Sequence, residues 1–246
     1  MDQAFEYPVP LDMCSVDFTG RWQLSGALRA IQDAGSAHCT VLHQSFEELR
    51  ERGVAWVITR SHLQMDEYPT LGQQVLVRTW PGETKHMFFP RYCTFESEGK
   101  TVGRAVTMYV LLDLETRKIA SPSRLSGEIA GCDIPAPLPF PGSIKNLSTA
   151  PSVESYLPVY TDLDMNRHVN NTRYADWFMN RFPIEKHEHE TLCDFLVHYN
   201  HELVAGEPVT FELRQQEELC VLQGKCGEDA HIGFAVQGTW KPRITR

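Results

Sequence analysis

Apolar and polar positions along the chain follow one pattern twice. In the first half an extended segment, Phe5 to Leu11, leads to a run in which Leu24, Ala27, Leu28, Ile31, Ala34, Gly35, His38, Val41 and Leu42 recur at helical spacing. Small residues at Ala34, Gly35, Ser36 and Ala37 let that helix lie close against a sheet. After a turn at Gly53 come four runs rich in β-branched and aromatic residues: Trp56 to Met65, Gln73 to Trp80, Met87 to Glu96 and Thr101 to Leu114. Pro69-Thr70-Leu71-Gly72, Pro81-Gly82 and Glu98-Gly99 punctuate them as turns.

The second half repeats the order. Extended residues from Val153 to Tyr160 precede a predicted helix from about Val169 to Phe182, with Tyr174, Trp177, Phe178 and Phe182 on its buried face. Strands are predicted over Cys193 to Leu203, Pro208 to Gln215, Glu218 to Lys225 and His231 to Trp240. Between the halves, Ser121 to Ser143 holds Pro122, Pro135, Pro137, Pro139 and Pro141, which cannot sustain a sheet interior and read as a linker. The expected architecture is α+β: a domain over 1–120, a proline-rich linker over 121–143 and a second domain over 144–246. Each domain is expected to wrap an antiparallel sheet around one long helix.

Composition narrows the function. A formal net charge of −9, with no compensating basic run, argues against nucleic-acid binding. No run of about 20 uncharged apolar residues encodes a membrane span. Met1 to Leu11 carry acidic residues and prolines where a signal peptide needs a basic start and an apolar run. Seven scattered cysteines without a C-x-x-C pair read as reduced thiols. The expected location is therefore cytoplasmic.

The densest polar cluster lies just before the second helix: Thr161-Asp162-Leu163-Asp164-Met165-Asn166-Arg167-His168-Val169-Asn170-Asn171. Asp164, Asn166 and His168 alternate, so an extended backbone would project a carboxylate, an amide and an imidazole from one face. Such a set, beside the unpaired N–H groups of a helix start, can activate water or attack a carbonyl carbon and hold the resulting oxyanion. The same residue types also cap helices and shape tight turns, and the residues alone leave both readings open. In the first half, Asp17-Phe18-Thr19-Gly20-Arg21-Trp22 stands at the corresponding place and offers no equivalent cluster.

The segment Asp164 to Asn171, followed by Tyr174 and Trp177, resembles the D-x-N-x-H-V-N-N-x-x-Y signature of plant and bacterial acyl-acyl-carrier-protein thioesterases. Ile31-Gln32-Asp33-Ala34, Trp56-Val57-Ile58-Thr59-Arg60, Tyr68-Pro69-Thr70-Leu71-Gly72, Thr79-Trp80-Pro81 and Leu112-Asp113 are similar to that family's N-terminal half. The resemblance implies a tandem double hotdog fold and hydrolysis of fatty acyl groups from acyl carrier protein. It implies catalytic roles for Asp164, Asn166 and His168, and for Glu202 within Tyr199-Asn200-His201-Glu202-Leu203, which matches the family's downstream glutamate strand. On a regular strand Glu202 would lie in phase with His198 and Asn200. Plant members carry a cysteine after that glutamate; Leu203 stands there in this chain, so a Cys–His–Asn mechanism at this site is closed to it. The first half is expected to house the acyl chain, with Trp56, Met65 and Trp80 as lining or core residues.

No cofactor or metal is expected. His187-Glu188-His189-Glu190 with Cys193 reads as a solvated loop after a helix, and Cys226 with His231 is a weaker metal signal still. The expected partner is an acylated carrier protein, and both monomer and homodimer suit the repeat. Rival readings are an acyl-CoA thioesterase, a non-catalytic acyl-binding sensor and a hotdog dehydratase.

Overall fold

A computed structural model describes residues 4–125 and 132–243. The chain divides into two compact units, Met1–Pro141 and Gly142–Arg246.

The first unit contains β1 (Phe5–Pro10), α1 (Leu24–Val41), α2 (Phe46–Glu51), β2 (Val54–Met65), β3 (Gln74–Pro81), β4 (Phe89–Ser97) and β5 (Lys100–Asp113). Its strands pair antiparallel in the order β1-β3-β4-β5-β2. The predicted helical stripe is the buried face of α1 as far as His38: Leu24, Ala27, Leu28, Ile31, Ala34, Gly35 and His38 are buried, whereas Val41 at its end is exposed. Its small residues matter at Gly35, where a Cβ would lie 3.3 Å from Cδ of Arg91 on the sheet. A side chain there would need Arg91 to give by a few tenths of an ångström.

The second unit contains β6 (Ser152–Tyr156), α3 (Arg173–Met179), α4 (Ile184–His189), β7 (Glu190–Tyr199), β8 (Val209–Gln216), β9 (Leu219–Cys226) and β10 (His231–Pro242). Its antiparallel order, β6-β8-β9-β10-β7, repeats the first unit strand for strand. The repeat read from hydropathy is thus a repeat of topology. Each unit is a hotdog of the α+β class.

Three expectations need correction here. The second helix is not long: α3 has 7 residues against 18 in α1. Its start is delayed because Asn170 Oδ1 accepts both the backbone N–H and the hydroxyl of Thr172, at 2.9 and 2.8 Å. Its end comes at Asn180, just before Pro183. Bulk replaces length: Tyr174, Trp177 and Phe178 pack on Phe195, Phe211 and Phe234, and each such aromatic side chain buries roughly 150–250 Å².

The segment from His187 to Glu190 is not a loop. His187 and His189 lie in α4 and Glu190 opens β7, while His187 Nε2 lies 3.1 Å from the Met179 carbonyl. Nor is the proline-rich stretch wholly a free linker. Leu138 is buried against Trp80, Tyr92, Val106 and Met108, with Ile134 and Phe140 beside it, and Arg60 Nη1 donates to the Pro141 carbonyl at 3.1 Å. Residues 126–131 of that stretch lie outside the described residues.

No helix among the described residues is long and apolar enough to cross a membrane.

Candidate active site

The polar segment before α3 folds as a tight hairpin rather than an extended strip. Asp164 N–H donates to the His168 carbonyl at 2.8 Å, and Arg167 N–H donates to the Asp164 carbonyl at 3.0 Å. Closing the turn puts Arg167 at φ 64°, in the left-handed region that side-chain-bearing residues avoid. The Asp164 carboxylate organises this turn from inside. Its Oδ1 accepts the N–H groups of Asn166 and His168, at 2.8 and 3.2 Å. Oδ2 is left clear of protein donors among the described residues.

A second carboxylate anchors the hairpin to the fold. Asp162 is buried, and its Oδ2 accepts the Tyr156 hydroxyl at 2.7 Å and the Val159 N–H at 2.8 Å. Its Oδ1 accepts the Trp177 indole at 3.3 Å, tying the hairpin's base to α3. Asn170 N–H donates to the Asp162 carbonyl at 2.8 Å and Val169 N–H to the Leu203 carbonyl at 2.7 Å. Sequence reasoning passed over Asp162; the aromatic residues Tyr156 and Trp177 on either side of it were the signal.

The Val169–Leu203 bond and the bridge between His168 and Val204 bring Glu202 to the hairpin. His168 Nε2 lies 3.6 Å from Glu202 Oε2, with both side chains partly open to solvent. Glu202 does not continue a regular strand as expected. β7 ends at Tyr199, where the chain bends and the N–H groups of Asn200 and His201 share the Gly233 carbonyl. Leaving the strand removes Glu202 from phase with His198 and presents it to His168 instead. Asn166 stands at the exposed tip, tied to Asp164 through its backbone N–H.

Leu203 is buried, and its Cδ2 would lie 2.9 Å from a Cβ at Gly233. That same Cβ would meet Cys226 Sγ at 2.8 Å, so the two side chains share one core site. Cys226 Sγ lies 3.2 Å from His231 Nε2, and His231 Nδ1 lies 2.6 Å from Asp229 Oδ1. Burial above all, and then Glu207 and Asp229, push this thiol's pKa up, which is the opposite of what a thiol nucleophile needs. Tyr174, between the hairpin and Cys226, is likewise raised by burial and then by the charges of Cys226 and Asp164.

The same hairpin exists in the first unit. Asp17 N–H donates to the Arg21 carbonyl at 2.8 Å, Gly20 N–H donates to the Asp17 carbonyl at 2.9 Å, and Gly20 has φ 76°. Asp17 Oδ1 accepts the N–H groups of Thr19 and Arg21, at 2.8 and 3.2 Å. Trp22 N–H bonds the Pro69 carbonyl and Arg21 bridges Thr70. By these bonds Arg21 stands where His168 stands, and Tyr68 where Glu202 stands.

Residues 3–128 match the acyl-ACP thioesterase N-terminal domain, and residues 145–241 match the acyl-ACP thioesterase C-terminal domain. The chain belongs to the acyl-ACP thioesterase family. Among its relatives, the chloroplastic dodecanoyl-[acyl-carrier-protein] hydrolase of Cinnamomum camphora is 30% identical over an alignment of 167 positions that covers 63% of this chain and 43% of that protein. A chloroplastic palmitoyl-acyl carrier protein thioesterase of Arabidopsis thaliana is 29% identical over 170 residues, 64% of this chain and 40% of that protein. The chain thus spans under half the length of these curated relatives.

Solved structures share the fold. An acyl-ACP thioesterase from Bacteroides thetaiotaomicron superposes with TM-score 0.89 at 24% identity, covering 96% of this chain and 97% of that one. The 12:0-ACP thioesterase from Umbellularia californica gives TM-score 0.79 at 20% identity, covering 98% of each chain.

Proposed function

We propose that this chain hydrolyses fatty acyl thioesters of acyl carrier protein to free acid and carrier thiol, with the second unit catalytic and the first unit receiving the acyl chain. One observation carries the reading. Of two matching hairpins, the second places an imidazole and a carboxylate beside its turn aspartate, where the first has Arg21 and Tyr68.

In this mechanism Asp164 Oδ1 stays with the loop and Oδ2 acts. It either attacks the thioester carbonyl or draws a proton from the water that does; both steps use the same oxygen. Asn166, at the tip, orients the carbonyl, and His168 hands a proton to the departing sulfur while Glu202 holds the imidazolium. A thiol leaves readily, with an ordinary pKa of about 8.5, so modest acid assistance suffices. A cytoplasmic setting is part of the same proposal and is supported by seven free thiols.

The second reading, an acyl-CoA thioesterase, uses the same chemistry and differs only in the carrier. Steady-state hydrolysis of matched acyl-carrier-protein and acyl-CoA substrates separates them. We expect kcat/KM to be at least about tenfold higher for the carrier-protein substrate; a CoA preference rejects the proposal.

A further inference from the structure

Inside the first unit lies a cation that the proposed mechanism does not use. Arg91, on β4, is only 7% exposed. A guanidinium offers five N–H donors, and among the described residues Arg91 meets three acceptors. These are His38 Nδ1 at 3.1 Å, Thr79 Oγ1 at 3.4 Å and Cys39 Sγ at 3.6 Å. No carboxylate is among them. His38 cannot supply a charge: burial, and then Arg91 itself, lower its pKa to about 4. A buried, uncompensated cation is costly, so the arrangement needs a reason.

Its neighbours add donors. Arg91 pairs across strands with Thr107, and Thr107 with Ser61, giving a polar row on one face of the sheet; the hydroxyls of Ser61 and Thr107 lie 3.3 Å apart. Gly35 on α1 faces both Arg91 and Tyr109: a Cβ there would sit 3.3 Å from Arg91 Cδ and 3.8 Å from the Tyr109 hydroxyl. Trp56 packs edge-on to Tyr109 with ring centroids 6.1 Å apart, and its buried indole N–H has no hydrogen-bond partner among the described residues. Guanidinium, phenol and indole thus gather in one region with more donors than acceptors.

We propose that Arg91, with Tyr109 and Trp56, is a specificity site for an acyl chain carrying an oxygen remote from the thioester, either a hydroxyl or a carboxylate. The proposal rests on the reading above that the first unit receives the acyl chain. An accepting oxygen supplies what the cluster lacks, whereas a plain alkyl chain leaves the guanidinium unpaired.

The test uses non-hydrolysable acyl-pantetheine amides of equal length, one plain, one with a distal hydroxyl and one with a terminal carboxylate, with Kd measured by calorimetry on the full chain. At least one oxygenated amide binds about tenfold or more tighter than the plain one, and the tighter of the two identifies the oxygen recognised. Arg91→Met, checked for a wild-type thermal transition, abolishes that preference. Equal or weaker binding of both oxygenated amides to the wild-type chain overturns the inference, as does a preference that survives in Arg91→Met. If that variant fails to fold, the wild-type comparison decides alone. Binding of amides is independent of turnover, so a failure here is separable from a failure of the hydrolase reading.

Discussion

The two hairpins ahead of α1 and α3 have the same backbone bonds and different side chains. Both close around an aspartate whose Oδ1 accepts two loop N–H groups, and both bond to the strand-end segment that follows. The first puts glycine at the left-handed position, threonine at the tip, arginine at the exit and tyrosine opposite. The second puts Arg167, Asn166, His168 and Glu202 at those places. An aspartate in such a turn is therefore no evidence of chemistry by itself. What distinguishes the second hairpin is the company that Asp164 keeps, and its willingness to hold a non-glycine residue at positive φ.

The anchoring differs most, and so does its expected energetic weight. Asp162→Ala strands three donors, the buried indole of Trp177 and the part-buried groups of Tyr156 and Val159, and should destabilise the chain by about 3 kcal/mol in urea titration. By the matching bonds Ser15 holds the equivalent place in the first unit, and among the described residues its side chain bonds only the exposed Asp12. Ser15→Ala should cost about 0.5 kcal/mol or less. Equal costs would show that the two hairpins are anchored alike.

A pH dependence of nearly the same size belongs to the first unit. His38 has its pKa lowered to about 4 by burial and Arg91, against 6.5 when unperturbed. Between those values the unfolded chain binds a proton that the folded chain refuses. Stability from this group is full above about pH 6.5 and declines as pH falls towards 4, by about 3 kcal/mol in all. Urea titrations at pH 7.5 and 4.5 should show a shallower drop in His38→Gln than in wild type. Parallel drops would remove His38 as the cause.

Smaller effects than that of His38 concern the turn position itself. A Cβ at Gly20 would meet nothing within 4 Å, so Gly20→Ala tests the φ of 76° alone and should cost about 1 kcal/mol. Arg167→Gly should gain up to about 1 kcal/mol, since the second hairpin already bears that strain. Thermal melts of the two variants should move in opposite directions; shifts of the same sign would break the correspondence.

Much of the fold was legible because the strands alternate and α1 carries a full apolar stripe. The short second helix was not. Its burial is concentrated in Tyr174, Trp177 and Phe178, and hydropathy extends through Val169, which bridges Leu163 ahead of the helix, and Phe182, in the bend after it. The hairpin was misread as an extended strip because alternation of Asp164, Asn166 and His168 fits a strand as well as a turn. Aligning it with Asp17-Phe18-Thr19-Gly20-Arg21 exposes the turn, since Gly20 marks a position needing positive φ. The approach of Glu202 to His168 depends on where β7 stops, and no local pattern encodes that. Arg91 was invisible for a related reason: an arginine in a strand reads as exposed until α1 is laid over it.

Exchange of one oxygen for an amide tests the central claim most directly. Asp164→Asn keeps a side-chain oxygen to accept the two loop N–H groups, so the hairpin survives while the carboxylate is lost; Asp17→Asn makes the same change in the first unit. In single-turnover hydrolysis of an acyl-carrier-protein thioester, Asp164→Asn should be slower by about a thousandfold and Asp17→Asn within about twofold of wild type. Wild-type hydrolysis by Asp164→Asn, or an equal loss in Asp17→Asn, would contradict the assignment of chemistry to the second hairpin.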